Sequence, residues 1–339
     1  MICFRADGNQ WIGTGHIMRC LSLADALREY NENIVFVTAE PYLRGLIQTR
    51  GYLCEVLGTA YDDMEEELSA FLPLLEREQP KLVILDSYFA TPEYMKAIKS
   101  IMKLLYIDDL NIFDYPADVV VNYNIYGPDL SYPQNKAYFL GPQYALLRKE
   151  FQGLERRIVK KQVENVLLST GGTDQYHVAL CCAKHLQEHP PEKNVTFHFV
   201  LGAMNQDVDE LNRIAAGLPF IRLHRQVKDM CSLMWQCDIA VSAAGTTLYE
   251  LCACGLPAVT YILADNQIQS AQAFQKLGLM PCVGDIRTSP EFAAHIFLKL
   301  QSLVCDWDTR QEISDKMRKL VDGKGAKRLA TAVQSMVEK

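Results

Sequence analysis

The sequence predicts an α/β protein of two domains, the first of them built on a doubly wound parallel sheet. Short apolar runs alternate with segments of helical periodicity along most of the 339 residues, as in sheets whose strands are joined by helices. Several runs, such as Leu-Val-Ile-Leu at 82–85, are apolar throughout, which is typical of strands buried on both faces. A polar break separates two such series, and the chain is long enough for two ordinary domains.

The first strand leads into a glycine-rich turn. Residues 2–6 form an apolar run, and apolar side chains recur at helical spacing from residue 17, so we expect a helix to begin near Gly15. Gly13 and Gly15 carry no Cβ, so a phosphate or a sugar can approach the backbone closely. The amides and positive dipole end of a helix start favour an anion there. His16 lies at this start, and we predict that it is functional rather than a core histidine.

Charged residues flank this turn. Arg5 and Asp7 precede it, and Arg19 lies on the same face of the predicted helix as His16. We expect Arg5 and Asp7, together with the two glycines, to bind substrate. Arg19 has two possible roles, a structural pair with Asp7 or a contact with the substrate.

A dinucleotide site is the alternative interpretation of the turn. The motif G-x-G-x-x-G needs a third glycine where this chain has Met18. Seven residues separate Ala6 from Thr14, which is long for the tight dinucleotide turn. Glu40 does follow the second strand, where a ribose-binding acid would lie. The missing glycine and the long turn favour a different ligand.

Composition excludes several classes of partner. The net charge is −7, and there is no long Lys/Arg run, which argues against nucleic acid. No signal pattern and no apolar run of about 20 residues is present, so we expect a cytoplasmic protein without a membrane partner. The eleven cysteines include no C-x-x-C pair, so we expect buried free thiols rather than a zinc site or a redox dithiol. We further expect a monomer.

The first domain is predicted to span residues 1–145. Its expected strands are 2–6, 34–39, 53–57, 82–86, 104–108 and 119–122. Its expected helices are 16–30, 63–77 and 92–101. Doubly wound sheets bind ligands beyond the carboxyl ends of their strands. Of the acids at those ends, Asp86 and Asp108 join the predicted substrate-binding set.

The second domain is predicted to span 163–339. A Pro/Gly/Asn-rich break at 126–136 ends the first series, and a charged linker is expected at 146–162. The expected strands of the second domain are 165–170, 195–201, 221–224, 239–243, 258–262 and 281–283. A helical tail follows from residue 291, and its last helix, 327–337, is a candidate for packing across the domain boundary.

Three turns of the second domain each follow a strand and lead into a helix. They lie at 169–174, 243–250 and 264–267. Three helix starts at one sheet edge hold a diphosphate without a metal. From the first turn the predicted binding residues are Gly171, Gly172, Thr173 and Asp174. In the second, Glu250 lies inside the helix, where it either accepts both hydroxyls of a ribose or faces solvent.

A family resemblance sharpens these predictions. Four stretches of the chain resemble the UDP-binding half of the MurG-type N-acetylglucosaminyltransferases. They are the run 227–238, the turn 244–251, and residues 255–257 and 265–267. Two Rossmann-like domains joined by a linker likewise resemble the GT-B fold, in which two such domains face an interdomain cleft. By this resemblance the uracil lies near the backbone of Val227 and near Met230, and Glu250 holds the ribose. The resemblance assigns the diphosphate and sugar to Gly245, Thr246, Thr247, Asn266 and Gln267.

The N-terminal run, together with two later runs, resembles a more specific family. Four motifs resemble the UDP-sugar hydrolase of pseudaminic acid biosynthesis. They are R-x-D at 5–7, G-x-G-H-x-x-R-C at 13–20, and the runs 144–151 and 169–174. Spore-coat polysaccharide proteins share much of this pattern. The resemblance extends to about residue 285. It implies a UDP-2,4-diacetamido-2,4,6-trideoxy-β-L-altropyranose substrate, release of UDP by C–O cleavage at the anomeric carbon, and His16 as the catalytic histidine.

The expected mechanism is attack of water on C1 with inversion. His16 acts as general base, which requires a neutral imidazole, and a helix N-terminus disfavours the imidazolium. No cofactor and no metal is expected, because the helix starts of the second domain can stabilise the leaving UDP. Candidates for orienting His16 are Asp7, Asp86, Asp108 and Asp109, and the sequence does not choose among them. The rival functions are a glycosyltransferase of the same fold and a non-catalytic UDP-sugar-binding protein.

Overall fold

A computed structural model describes residues 1–192 and 194–338. The chain divides into two compact units. The first contains residues 1–149 together with the chain from Gly323 onward, and the second contains residues 150–322. Each unit is a Rossmann-like domain with one parallel sheet.

The first unit is built on seven parallel strands in the order β3-β2-β1-β4-β5-β6-β7. The strands are β1 (Ile2–Ala6), β2 (Ile34–Thr38), β3 (Leu53–Val56), β4 (Leu82–Asp86), β5 (Leu104–Ile107), β6 (Val119–Asn122) and β7 (Ala137–Leu140). The helices between them are α1 (Gly15–Arg28), α2 (Arg44–Thr49), α3 (Met64–Glu78) and α4 (Pro92–Lys99). The strand order reverses between β1 and β4, which is where doubly wound sheets bind ligands.

The second unit has six parallel strands in the order β10-β9-β8-β11-β12-β13. The strands are β8 (Asn165–Ser169), β9 (Thr196–Leu201), β10 (Ile221–Arg225), β11 (Ile239–Ala243), β12 (Ala258–Ile262) and β13 (Cys282–Asp285). The helices are α5 (Val178–Glu188), α6 (Val208–Gly217), α7 (Met230–Gln236), α8 (Thr247–Cys254), α9 (Ile268–Lys276), α10 (Phe292–Cys305) and α11 (Trp307–Leu320). Here the order reverses between β8 and β11.

Local sequence explains where several helices begin. The Asp63 carboxylate caps α3 by accepting a hydrogen bond from the Glu66 amide at 3.2 Å. The Thr91 hydroxyl caps α4 by accepting from the Tyr94 amide at 3.1 Å, and Pro92 occupies the first helical position. Such caps satisfy amides that have no partner inside the helix.

Every strand predicted from the sequence is present. The sequence analysis missed β7 and α2. The side chains of β7 are only partly buried, at the edge of the sheet, and α2 is six residues long. Neither segment is long or periodic enough to be recognised from its pattern.

The last helix, α12 (Gly325–Val337), corrects the predicted domain boundary. We predicted that residues 163–339 belong to the second domain, but the chain from Gly323 onward belongs to the first unit. There α12 packs against α1 and buries Leu329 and Val333 completely. A Cβ on Gly325 would lie 2.3 Å from the Ala145 carbonyl oxygen, so only glycine allows this close approach.

The predicted linker, 146–162, is also not a free connection. The boundary between the units falls inside it, after Lys149. Within the second unit Arg157 is buried and donates hydrogen bonds to the carbonyl oxygens of Met234, Cys237 and Cys254 at 2.7–2.8 Å. The guanidinium thereby fixes the start of the second unit to α7 and α8.

A search of the described residues finds no helix that combines the length and apolarity needed to cross a membrane.

Candidate active site

The first candidate site lies at the carboxyl end of β1 and β4. Ala6 pairs with Asp86 across the two strands, so Asp7 and Asp86 leave the sheet at the same edge. The turn after β1 closes on itself, because the Gly13 amide donates to the Asn9 carbonyl oxygen at 2.9 Å. Gly13 has a φ of +74°, a conformation that favours glycine. This turn delivers His16 to the start of α1 above the two carboxylates.

His16 and Asp86 form a buried hydrogen-bonded pair. His16 Nδ1 lies 2.7 Å from Asp86 Oδ1, and the two residues are 7% and 0% exposed. Arg19 donates to both oxygens of Asp86 at 2.6 Å. Burial raises the pKa of the Asp86 carboxyl, but Arg19 and His16 outweigh burial and hold that pKa well below its usual value. Asp86 is therefore ionised and accepts a hydrogen bond from Nδ1–H, which leaves Nε2 as the basic nitrogen.

Arg19 is fixed on its other side by a polar cluster. Its Nη1 donates to both oxygens of Asp109, at 2.8 and 3.0 Å, and to the Tyr123 hydroxyl at 3.2 Å. Asp109 also accepts from the Tyr88 hydroxyl and the Asn124 amide, each at 2.8 Å. Because these groups are buried or half-buried, the position of Arg19 and of the carboxylate it holds is strongly determined.

A small cavity opens beside the imidazole. The space that the centre of a water molecule can occupy in this cavity is about 10 Å³. This is room for roughly one water molecule. Its walls are Asp7, Ile12, His16, Asp86, Ser87, Tyr88 and Phe89. The Tyr88 ring packs edge-on against His16, with ring centres 4.5 Å apart. The cavity can hold a small nucleophile next to the histidine but not a sugar ring.

Arg5 does not reach this cavity. It is fully buried and donates to Glu67 at 2.8 and 2.5 Å and to Asp7 at 2.5 Å. The prediction that Arg5 binds substrate is therefore corrected, since both ends of its guanidinium are occupied. Asp7 lines the cavity and also accepts from the Ala39 amide at 2.7 Å. Burial raises the pKa of the Asp7 carboxyl, and Arg5 and the Ala39 amide offset only part of this rise.

Asp108 is likewise a structural residue rather than a substrate ligand. It is 1% exposed and accepts from the amides of Leu110 and Asn111 and from the hydroxyls of Tyr115 and Tyr132. Both carboxylate oxygens are used in holding the loop after β5. Of the four carboxylates that the sequence left open for orienting His16, only Asp86 contacts the imidazole.

The second candidate site lies at the carboxyl end of β8, β11 and β12. These strands are neighbours, with Ser169 opposite Ser242 and Ala243 opposite Tyr261. The three turns singled out in the sequence therefore leave the sheet side by side. Their positions at one edge of the sheet match the prediction.

The start of α8 carries an exposed threonine. Thr246 is exposed, precedes the first helical residue Thr247, and makes no capping hydrogen bond through its side chain. A Cβ on Gly245 would lie 3.7 Å from Gln267 Nε2, so the second and third turns are in contact. Glu250 is half-buried one turn into α8, and Asn266, in the third turn, is exposed. Thr246, Glu250 and Asn266 thus keep polar side chains at least partly exposed on these neighbouring turns.

The first turn differs from its prediction. α5 begins only at Val178, and the Asp174 carboxylate accepts hydrogen bonds from the amides of Val178 and Ala179 at 2.8 and 3.0 Å. Asp174 therefore caps this helix start, which leaves those amides unavailable to a phosphate. The preceding glycines, Gly171 and Gly172, remain half-buried or exposed, as does Thr173.

The proposed uracil contacts lie in the loop between β10 and α7. Val227 is half-buried, and Met230 is 7% exposed at the first position of α7. The Met230 amide donates to the Glu150 carboxylate at 3.1 Å. A base bound here would meet the loop backbone near Val227 rather than this amide.

Sequence reasoning assigned no role to several residues of the first site. Ile12, Ser87 and Phe89 line the cavity. Arg19, for which the sequence left a pair with Asp7 or a substrate contact open, pairs instead with Asp86 and Asp109. The available signal is position, because Ser87 and Phe89 directly follow the strand end at the point where the sheet order reverses.

Similarity to solved structures shows that the fold is GT-B. MurG of Acinetobacter baumannii aligns with a TM-score of 0.68 over 98% of this chain and 99% of that chain, at 14% identity. The spinosyn rhamnosyltransferase SpnG aligns with a TM-score of 0.73 over the full length of both chains, at 12% identity. A further structure of SpnG is a complex with thymidine diphosphate.

Curated relatives confirm the predicted sequence resemblance, although no protein-family model matches the chain. The spore coat polysaccharide biosynthesis protein SpsG of Bacillus subtilis is 27% identical over 98% of this chain and 97% of its own length. The UDP-2,4-diacetamido-2,4,6-trideoxy-β-L-altropyranose hydrolase of Campylobacter jejuni is 26% identical over 82% of this chain and 97% of its own length. An uncharacterized protein of Methanocaldococcus jannaschii is 28% identical over 79% of this chain, which spans 56% of that protein.

Proposed function

We propose that this protein hydrolyses a UDP-linked diacetamido-trideoxy sugar at the anomeric C–O bond and releases UDP and the free sugar with inversion. The observation that carries the proposal is the His16–Asp86 pair, 2.7 Å between Nδ1 and Oδ1, beside a cavity for about one water. The similarity to the Campylobacter jejuni hydrolase over most of both chains supports this substrate class.

His16 is the general base in the proposed reaction. A water in the cavity attacks C1 of the sugar while His16 Nε2 takes its proton, and the bond from C1 to the phosphate oxygen breaks with its electron pair leaving on UDP. Asp86 stabilises the imidazolium that forms, as carboxylates do for catalytic histidines elsewhere. General base catalysis of this kind contributes typically about 10²–10⁴-fold.

The second unit supplies charge stabilisation to the leaving group. The amides at the start of α8, next to Gly245 and Gln267, receive the diphosphate, and Glu250 accepts the ribose hydroxyls. Amide dipoles aimed at developing charge usually make the largest single contribution to catalysis of this type. No metal is assigned a part in this reaction.

Glycosyl transfer is the second candidate, because the structures of the same fold reported above include glycosyltransferases. In that reaction a hydroxyl of an acceptor replaces the water and loses its proton to His16. The one-water cavity favours hydrolysis, since it already places a nucleophile site next to the base.

The deciding experiment supplies the UDP-sugar alone in water enriched in oxygen-18 and follows UDP release. Hydrolysis with C–O cleavage gives multiple turnovers and places the label on C1 of the free sugar, with none in UDP. A transferase releases UDP at a comparable rate only when an acceptor is added. A binding protein releases none, and label found in UDP would contradict the proposed bond cleavage.

A further inference from the structure

Four exposed or partly exposed aromatic side chains lie in loops at the sheet edge that carries His16, and one of them, Phe89, lines the His16 cavity. Trp11, Tyr42, Tyr61 and Phe89 follow β1, β2, β3 and β4 respectively, and these strands are consecutive in the sheet. Trp11 is 68% exposed, Tyr42 53% and Phe89 37%. We call these four residues the aromatic rim. Large apolar side chains grouped on a surface mark a binding site more often than single exposed ones do.

Side-chain contacts join the loops of the rim in two pairs. The Tyr42 hydroxyl donates to Gln10 at 3.4 Å, which joins the loops after β1 and β2. The rings of Tyr61 and Phe89 meet edge to face with centres 5.5 Å apart, which joins the loops after β3 and β4. Phe89 also lines the cavity, so the rim is continuous with the site of the general base.

Trp11 is held in a closed turn although its ring faces solvent. Asn9 Oδ1 accepts from the amides of Trp11 and Ile12 at 2.9 and 3.1 Å, and Asn9 Nδ2 donates to Glu40 at 3.1 Å. A tryptophan on a fixed backbone loses little conformational entropy when a ligand covers it. Ile12, the next residue, forms part of the cavity wall.

The size of the cavity determines where a sugar can lie. It accommodates about one water molecule, so the sugar ring whose C1 is attacked must sit outside it, at the mouth. That position is bounded by Ile12 and Phe89 and extends toward Trp11.

Charge around the rim favours a neutral group. Desolvation raises the pKa of the Tyr61 hydroxyl, and the nearby carboxylates of Asp62 and Glu40 raise it further. Arg44, the first residue of α2, is the cation closest to Tyr42 in the sequence. An excess of carboxylates disfavours a diphosphate or an anionic lipid surface, whereas carboxylates accept hydrogen bonds from sugar hydroxyl and amide groups.

We propose that the aromatic rim binds the sugar of the nucleotide sugar and selects a neutral, N-acetylated deoxysugar. This inference rests on the proposed function. The C–H face of the ring and the methyl groups of a diacetamido-trideoxy sugar stack on Trp11 and Phe89, because these parts of the sugar are apolar. UDP itself makes no contact with the rim, so the rim contributes to sugar binding and not to nucleotide binding.

The test compares Trp11→Ala and Phe89→Ala with a matched control, Leu53→Ala. Leu53 is 71% exposed on the edge strand β3 and belongs to no site. Each rim variant is expected to raise KM for the UDP-sugar about 5- to 20-fold, with kcat changed less than KM, from the usual strength of aromatic contacts. Trp11→Phe is expected to retain most of the affinity. Circular dichroism checks that each variant is folded.

Calorimetry separates this inference from the proposed function. The His16→Ala protein, whose turnover is expected to be at least about 10²-fold slower, is expected to bind the UDP-sugar more tightly than UDP. Adding Trp11→Ala is expected to remove that difference while leaving UDP affinity unchanged. Loss of the difference, together with a wild-type protein that releases no UDP, would support the rim and contradict hydrolysis. The rim proposal would be overturned if the enzyme hydrolyses the UDP-sugar but neither rim variant changes KM or the difference between UDP-sugar and UDP affinity. That result would indicate that something other than the sugar occupies the rim.

Discussion

The chemistry of the first site depends on which groups donate hydrogen bonds to the Asp86 carboxylate. Arg19 donates to both of its oxygens and His16 to one, while Cys20 Sγ lies 3.5 Å from the other. A carboxylate with so many donors stays ionised after burial. It therefore orients the imidazole permanently and stabilises positive charge on the ring without taking the proton itself.

We expect His16→Ala to fold, to bind UDP as the wild type does, and to lose at least about 10²-fold in turnover, the usual effect of losing a general base. Folding is retained because Arg19 still pairs with the buried Asp86. UDP affinity is retained because the UDP contacts are assigned to the second unit. Turnover is measured by UDP release and affinity by calorimetry. Turnover close to that of the wild type would remove His16 from the mechanism.

Asp86→Asn tests the orienting role directly. An amide in this place donates where the carboxylate accepted, so the tautomer of His16 changes and turnover is expected to fall by about 10²–10⁴-fold. Asp109→Asn is the control, because it weakens the other ion pair of Arg19 without touching His16. Rates are compared well below both unfolding temperatures. An equal loss in the two variants would mean that Asp86 acts only by holding Arg19.

Glu250→Ala is expected to weaken UDP binding about 10- to 150-fold. The basis is the proposed pair of hydrogen bonds from ribose hydroxyls to the carboxylate, worth roughly 1.5–3 kcal/mol. Calorimetric titration with UDP measures the change. Glu312→Ala, which removes an exposed glutamate paired with Lys316 in α11, serves as control. UDP affinity equal to that of the control would show that Glu250 does not hold the ribose.

At the scale of elements, the pairing of α12 with α1 links the end of the chain to the helix that carries His16. Ala326, Leu329, Ala330 and Val333 are all fully buried, and Lys103 Nζ donates to the Met336 carbonyl oxygen at 2.9 Å. Burial of a leucine or valine contributes about 1.5–3 kcal/mol each. The first unit therefore depends on residues almost 300 positions beyond α1.

We expect Leu329→Ala to lower the free energy of unfolding by about 2–5 kcal/mol, the usual range for a buried leucine. Lys327→Ala, at an exposed site on the same helix, is expected to have little effect. Scanning calorimetry with and without UDP measures both. UDP is proposed to bind the second unit and therefore to stabilise it. The loss of stability in Leu329→Ala should then appear in an unfolding transition whose temperature UDP does not raise. Equal stability of the two variants would contradict the packing of α12 on α1.

The strands and most helices follow from local pattern. β4 is predictable because all of its side chains are buried and its sequence is uniformly apolar up to Asp86. α12 could be recognised as a helix that packs across the predicted domain boundary, but its assignment to α1 as a packing partner could not. That assignment depends on a close approach at Gly325 to the distant Ala145, and long-range packing leaves no local signal.

In the candidate sites, too, the position of a residue at a strand end was predictable, whereas its distant hydrogen-bond partners were not. Position at a strand end correctly selected His16, Asp7 and Asp86 as neighbours. It could not separate Asp86 from Asp108, because both follow apolar strands and only their hydrogen-bond partners differ. Arg5 was misassigned for the same reason, since its pairing with Glu67 joins residues 62 positions apart.

At the scale of the whole molecule, the two sheets repeat one design. Each reverses its strand order once, between β1 and β4 in the first and between β8 and β11 in the second. Each candidate site lies at that reversal, as expected for doubly wound sheets. The residues there differ in kind: the first reversal carries carboxylates and a histidine, whereas the second carries glycine, threonine and amide side chains. Base chemistry and anion binding are thus assigned to different units.

We expect catalysis to proceed without a divalent metal. A diphosphate-bound cation needs carboxylate ligands with free oxygens, and the adjacent pair Asp108 and Asp109 has none to spare. Tyrosine hydroxyls and backbone amides occupy Asp108, and Arg19, Tyr88 and Asn124 occupy Asp109. The amides at the start of α8 are proposed to stabilise the leaving group instead.

Initial rates are measured with excess EDTA and then with added Mg²⁺ or Mn²⁺. We expect the rates to agree within about twofold, a change far smaller than the loss of a catalytic group would cause. Activity lost in EDTA and restored by either ion would overturn this mechanism and require a metal ligand at the cavity, where Asp7 is the carboxylate that lines it beside the His16–Asp86 pair.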